Sequence, residues 1–159
     1  MAGDFRVGRG GGVIGMQFEG IEALQVDMSR ITKEVEAEAA KAVKATGLEV
    51  ISDIKKRIQR GPKTGRVYTR GGGQNLSRTH QASAPGQAPA TDTGTLVSSI
   101  YFEQNTKLSA TVGSRLAYAY WLEFGTTKIA PRPSWMPAVE AAAPKFKRRL
   151  EAAIARAAR

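Results

Sequence analysis

The strongest constraint on the fold is a helical periodicity in the first third of the chain. From Leu24 to Ile58, apolar side chains recur at steps of three and four residues, which is the spacing of one face of an α-helix. Gly61 and Pro62 end the pattern, because neither residue continues a helix well. Gly47 weakens its middle, so one kinked helix and two separate helices both fit. An apolar stripe of this length needs a sheet to pack against.

Short apolar segments elsewhere predict that sheet. Ile100–Gln104 and Leu108–Gly113 predict a β-hairpin with its turn around residues 104–106, and residues 95–99 predict a helical turn just before it. Val13–Phe18 is apolar and flanked by glycines, which indicates a further short strand.

A last helix is predicted to begin near Ser134, a good N-cap, and Pro144 should kink or split it. Its apolar stripe consists of Val139, Ala143, Phe146, Leu150, Ile154 and Ala157. The predicted fold class is therefore α+β. A long N-terminal helix, or two helices, and a C-terminal helix pack on a small antiparallel sheet, with a long flexible loop rich in Gly, Ser and Pro.

The length of 159 residues predicts a single domain. Residues 1–15 are Gly-rich and predict a flexible arm, and residues 16–159 are expected to form one α+β domain. Within it, residues 61–93 predict a long basic loop, in which only Arg66–Arg70 could form a short strand. Loops of this length are usually functional or disordered, so we expect this one to become ordered against a partner.

The formal net charge of +10 arises mostly in residues 61–159, which carry 14 basic and 5 acidic side chains. Such an excess favours a polyanion or an acidic protein surface as partner. The candidate contact residues are Lys63, Arg66, Arg70 and Arg78. Solubility alone is the alternative explanation of the charge.

A search for enzymatic chemistry gives no candidate site. The chain has no cysteine, which excludes disulfides and cysteine metal sites. His80 is the only histidine, so His-based metal sites and Ser/His triads lack partners, and its polar surroundings predict a solvated surface residue. Glu123 is a lone carboxylate, which is more often a hydrogen-bond anchor or an interface residue than a general acid. We expect no enzyme activity and no cofactor, and no apolar run is long enough for a membrane span.

Aromatic side chains are concentrated between Ala117 and Ala143, a run that holds five of the chain's 11 aromatic residues. Such a cluster usually marks a core or an interface. Ala117–Phe124 predicts a short helix with Gly125 as its C-cap. The candidates for core or subunit-interface positions, with the core role favoured, are Tyr118, Trp121, Leu122, Phe124, Gly125 and Trp135.

Two segments together resemble a known family. The run His80–Ile100, HQASAPGQAPATDTGTLVSSI, resembles the hallmark of the tail-completion, or head–tail joining, proteins of long-tailed phages and prophages. Its motif positions are Ala82, Ser83, Pro85, Gly86, Pro89, Gly94, Leu96 and Ile100. The run Tyr118–Ala141, YAYWLEFGTTKIAPRPSWMPAVEA, is similar to the second mark of that family. The resemblance covers roughly residues 20–150.

The resemblance implies an α+β, non-enzymatic structural protein of the virion, made in the host cytoplasm. It also implies a homo-oligomeric ring, expected to be sixfold, in the neck between portal and tail tube. Its partners would be a portal-side adaptor and a tail terminator or the tail tube. The four candidate cations would then line a lumen and contact genomic DNA without reading its sequence. Whether such a ring is the head stopper or the tail cap stays open. The rival hypothesis is a cytoplasmic, basic nucleic-acid-binding module without sequence specificity.

Overall fold

The computed structural model of the chain describes residues 6–7, 14–17, 33–70 and 78–157. The helices in these ranges are α1 (Lys33–Arg60), α2 (Thr95–Ser99), α3 (Ala117–Phe124) and α4 (Trp135–Ala157). The strands are β1 (Arg6–Val7), β2 (Ile14–Gln17), β3 (Val67–Arg70), β4 (Arg78–Gln81), β5 (Ile100–Thr106) and β6 (Ser109–Ser114). The predicted α+β class is confirmed, with a long helix before the main hairpin and another at the end.

Strands β1, β2, β6 and β5 form one antiparallel sheet in that order, and β3 and β4 form a separate antiparallel hairpin. The predicted β5–β6 hairpin is confirmed, but its turn lies at Lys107–Leu108 because β5 continues to Thr106. β2 confirms the strand predicted at Val13–Phe18. The sequence did not predict β4, because its polar residues lack the apolar alternation that marks a strand.

Helix α1 runs without a break through Gly47, so this glycine does not divide it. Residues 20–32, where the apolar periodicity begins, lie outside the described residues. Packing explains the glycine, because a Cβ there would lie 2.8 Å from Cδ2 of Phe102 and closer still to its Cε2. The Phe102 ring on β5 therefore occupies the space that a larger residue would need, and α1 approaches the sheet closely here.

The apolar stripe of α1 forms one side of the core, as its periodicity predicted. The buried stripe residues are Val35, Ala39, Ala42, Val50, Ile54 and Ile58. They pack against α4 and against the inner face of β5 and β6, where Ile100 and Val112 are buried. Trp135, at the start of α4, is the largest fully buried side chain and completes this cluster.

Helix α4 runs through Pro144, so of the two expected effects a split of the helix is excluded. The predicted stripe is correct at Val139, which is buried, but wrong at Ile154, which is exposed. Small side chains provide much of the contact instead, and the buried ones are Ala138, Ala142 and Ala153. Alanines at these positions let α4 lie close to α1.

A polar cluster joins α1 to α4 at the edge of the core. The carboxylate of Glu49 accepts hydrogen bonds from Lys145 Nζ and, at 2.7 Å, from Arg149 Nη2. Arg149 Nη1 also donates to Oγ1 of the buried Thr46 at 2.9 Å. The hydrogen bond from Lys145, followed by that from Arg149, holds the pKa of Glu49 below its usual value.

Candidate assembly surface

Helix α3 buries its acid and exposes its aromatic rings. Glu123 is 4% exposed, whereas Trp121 is 50%, Phe124 is 42% and Tyr118 is 37% exposed. The inner face consists of Ala119 and Glu123, one helical turn apart, so side chains on the other faces point away from the core. The favoured prediction that these three rings belong to the core is wrong, because all three are exposed, and the subunit-interface alternative stays a prediction. For Trp135 the core prediction is correct.

Glu123 holds the first turn of α4. Its carboxylate accepts the backbone N–H of Ser134 at 2.8 Å, of Trp135 at 3.0 Å and of Met136 at 2.8 Å. These are groups that have no partner within a helix at its N-terminus, and the negative charge also suits the helix dipole. Glu123 is therefore a hydrogen-bond anchor, one of its two predicted roles, and it fixes α3 to α4.

Gly125 ends α3, as predicted. Its φ is 74°, and its N–H donates to the carbonyl of Trp121 at 2.9 Å. A Cβ at this position would lie 2.7 Å from the carbonyl oxygen of Ile129 and 2.9 Å from Cδ of Pro131. Both the backbone conformation and the space thus require glycine. The turn that follows returns to α3, where the N–H of Arg132 donates to the carbonyl of the half-buried Leu122.

The two segments that carry the family resemblance are in direct contact. The N–H of Gly86 donates to the carbonyl of Pro131 at 2.9 Å. Gly86 has a φ of 79° and stands in a turn in which the N–H of Gln87 donates to the carbonyl of Ala84. Ser83 and Pro89, on either side of that turn, are buried. The motif loop is thus anchored on the lead into α4.

The other motif positions have structural roles. The N–H of Ala82 extends the β3–β4 ladder by donating to the carbonyl of Arg66. Gly94, with a φ of 80°, precedes α2 and accepts the N–H of Ser98. Leu96 packs at the border of the core, and Ile100 lies within it. Pro85 is exposed.

The four candidate cations lie on and beside the β3–β4 hairpin. The register places Arg70 directly opposite Arg78. The guanidinium of Arg66, just before β3, lies 5.6 Å from the ring centroid of Tyr68, and Lys63 is exposed on the approach.

His80 is not the solvated residue that its polar neighbours predicted. On β4 it is half-buried in a cleft, with Nδ1 3.9 Å from Oδ1 of Asp92. Ser83 lines the same cleft, but its Oγ makes no hydrogen bond to His80, so these side chains lack the geometry of a catalytic triad. Among the described residues, no three acidic or histidine side chains are grouped as they would be to bind a metal ion. No described helix is long and apolar enough to cross a membrane.

Comparison with known proteins identifies the family. A family model described as "Bacteriophage HK97-gp10, putative tail-component" matches residues 22–125. This match covers more than half of the chain, includes the motif loop and α3, and shows that the chain belongs to the HK97-gp10-like family. Searches of curated proteins and of solved structures gave no match. The description of the family as a phage tail component agrees with the resemblance seen in the sequence.

Proposed function

We propose that copies of this phage tail component assemble into a ring in the head–tail connector and join head to tail around the path of the DNA. The ring is expected to be sixfold and to contact a portal-side adaptor on one side and a tail terminator or the tail tube on the other. Such a protein acts through assembly, not through catalysis.

The observation that carries this proposal is the exposed aromatic face of α3. Trp121, Phe124 and Tyr118 lie on one short helix, and Ile129 is exposed on the turn beyond it. Large aromatic side chains supply much of the contact area at protein interfaces, so three of them exposed on one helix favour an interaction site. Tryptophan and tyrosine are also the residues that most often dominate the energy of protein interfaces.

The basic hairpin supports the position around DNA. Ring symmetry repeats every hairpin, so a small cluster of arginines in one subunit becomes a continuous positive surface in the assembly. Contacts from such a surface would reach phosphates and leave the base sequence unread.

Electron microscopy of the purified protein, with subunits counted per ring, tests the proposal most directly. Trp121→Ala should raise the concentration needed for ring formation by at least about 30-fold, the effect of losing an interface anchor worth 2 kcal/mol. Leu48→Ala is a matched control, because Leu48 is as exposed as Trp121 but lies on α1. A chain that stays monomeric at high concentration and fails to join tails to heads would refute the proposal.

The arginines of the hairpin also favour the second candidate function, a module that binds nucleic acid without sequence specificity. Binding of the monomer to duplex DNA, measured over a salt series, separates the two. Under the alternative, replacing Arg66, Arg70 and Arg78 with glutamine should lower the salt slope by about 0.9 for each lost phosphate contact, while Lys128→Gln leaves it unchanged. Under the ring proposal, the monomer binds DNA weakly and the triple variant changes DNA retention only in assembled particles.

A further inference from the structure

A cleft of about 240 Å³ lies between the motif loop and α3. Its walls come from both family segments: Ser83 and Asp92 from the loop, Tyr118 and Leu122 from α3, and Arg132 from the lead into α4. The cleft is not explained by the capping of α4, because Glu123 does not line it.

Two buried hydrogen-bond donors in the walls of this cleft have no partner within the described chain. Ser83 is 2% exposed, and its Oγ makes no hydrogen bond; the Nε of Arg132 is also buried and makes none. A buried donor without a partner is costly and rare in a native protein, so each of these atoms calls for an acceptor.

The acidic residue of the cleft does not provide that acceptor. The Oδ1 of Asp92 lies 3.9 Å from Nδ1 of His80, and neither Ser83 Oγ nor Arg132 Nε makes a hydrogen bond to this carboxylate. The cleft therefore holds two hydrogen-bond donors that lack an acceptor. Because one of the two donors belongs to a guanidinium, a carboxylate is the acceptor that satisfies it best.

The surroundings favour a protein as the source of this carboxylate over a nucleic acid. Leu96, Leu122 and the ring of Tyr118 give the cleft apolar walls, and Tyr118 continues into the exposed aromatic face of α3. We propose that this cleft binds the side chain of a glutamate or aspartate, flanked by apolar residues, from a partner protein. The inference does not require a ring, since any protein partner with such a segment would bind.

The test is a titration of the full chain, followed by NMR at the Arg132 Nε–H signal, with two peptides that differ only in charge. The probes are acetyl-Leu-Glu-Leu-amide and acetyl-Leu-Gln-Leu-amide. The glutamate peptide should shift the signal and bind at least about tenfold more tightly, because a hydrogen bond to a charged group is the stronger one. Equal binding of both peptides, or no shift with either, would overturn the proposal.

Two variants assign the binding to the cleft. Binding by the variants is measured by isothermal titration calorimetry, because Arg132→Lys removes the Arg132 signal itself. Ser83→Ala and Arg132→Lys should each weaken binding of the glutamate peptide by about tenfold, since each removes one of the unpartnered donors. Thr127→Ala, an exposed position outside the cleft, should bind as the parent does. Unchanged binding by both cleft variants would refute the site, as would a short DNA duplex that shifts the Arg132 signal more than the peptide does.

The stability of Ser83→Ala provides an independent check. If its Oγ has no partner in the free chain, removing the hydroxyl should leave the midpoint of thermal unfolding unchanged or raise it. A marked decrease would show that the hydroxyl is satisfied internally and would overturn the argument. The expected combination, unchanged stability with weakened binding, does not depend on whether the protein forms rings.

Discussion

Replacement of Glu123 with glutamine tests how the aromatic helix is fixed to the C-terminal helix. The carboxylate accepts three backbone N–H groups in a site that is almost closed to water. A glutamine keeps one acceptor oxygen, but its NH₂ group replaces the other oxygen and points a donor at a donor. At least one of the three N–H groups then loses its partner.

The magnitude follows from these contacts. One buried unsatisfied donor costs about 1–3 kcal/mol, and loss of the charge at the helix N-terminus adds about 0.3–2 kcal/mol. Glu123→Gln should therefore lower the free energy of unfolding by about 1–5 kcal/mol. For a chain of this size, each kcal/mol shifts the unfolding midpoint by about 2–4 °C.

Urea unfolding, followed through tryptophan fluorescence, measures this change, because unfolding exposes the buried Trp135 to water. Glu140→Gln is the matched control, because Glu140 is an exposed acid on α4 and its loss should change stability by less than about 0.5 kcal/mol. If Glu123→Gln proved as stable as this control, the carboxylate of Glu123 could not be holding the N-terminus of α4. The conclusion that Glu123 fixes α3 to α4 would then be refuted.

Three further predictions test other parts of the structure. Trp135→Ala should destabilise the chain by about 3–5 kcal/mol and Trp121→Ala by about half as much, because only the first ring is fully buried; equal losses in thermal unfolding would contradict the burial of the two rings. The ionised carboxylate of Glu49 stabilises the parent in full above pH 4.5, the ordinary pKa of this carboxyl, and this stabilisation is lost as the pH falls through the lowered pKa of the folded state. Glu49→Gln should lack the stabilisation at every pH. The urea midpoints of the two proteins, measured from pH 6 to pH 3, should therefore converge at the acidic end. Gly47→Ala, which normally stabilises a helix by about 1 kcal/mol, should here destabilise by about 1–3 kcal/mol because the ring of Phe102 must move, and a second substitution, Phe102→Leu, should recover part of the loss.

The elements that were predicted correctly from the sequence are those that short-range patterns of apolar residues and glycines determine. The stripe on α1 is buried from Val35 to Ile58 because a steady period of 3.6 leaves only one face for the core. The β5–β6 hairpin and the glycine at the end of α3 follow equally from short-range signals. The position of the hairpin turn was missed, because the polar end of β5 carries no alternation to mark where the strand stops.

The burial of the aromatic cluster could not be predicted from composition. Aromatic content indicates a large apolar surface but does not say which side of the chain it covers. A signal was nevertheless available in the order of residues along α3. Tyr118, Trp121 and Phe124 recur at steps of three, which places them on a different face from Ala119 and Glu123. The acid on the inner face is explained only by α4, whose first N–H groups need an acceptor.

The cleft could not be predicted from the sequence, for a different reason. Its walls come from segments far apart in the chain, and its most informative feature is a pair of missing hydrogen bonds at Ser83 and Arg132. A serine in a Gly- and Pro-rich loop is expected to be exposed. Nothing in the residues around Ser83 indicates that the fold buries its side chain.

The size of the aromatic face limits what it can do alone. Rings of this kind bury about 150–250 Å² each, so three rings at 37–50% exposure leave roughly 190–320 Å² of apolar surface. A stable interface needs about 800 Å² from each partner. The proposed ring contact must therefore extend beyond α3. The cleft connects α3 to the β3–β4 hairpin, because Tyr118 of α3 and His80 of the hairpin both line it. The hairpin also exposes Val67 and Tyr68. An interface that included the hairpin, the cleft and α3 would combine the exposed aromatic rings of α3 with the proposed binding site for a partner's carboxylate. Trp121→Ala and Ser83→Ala would then weaken the same contact.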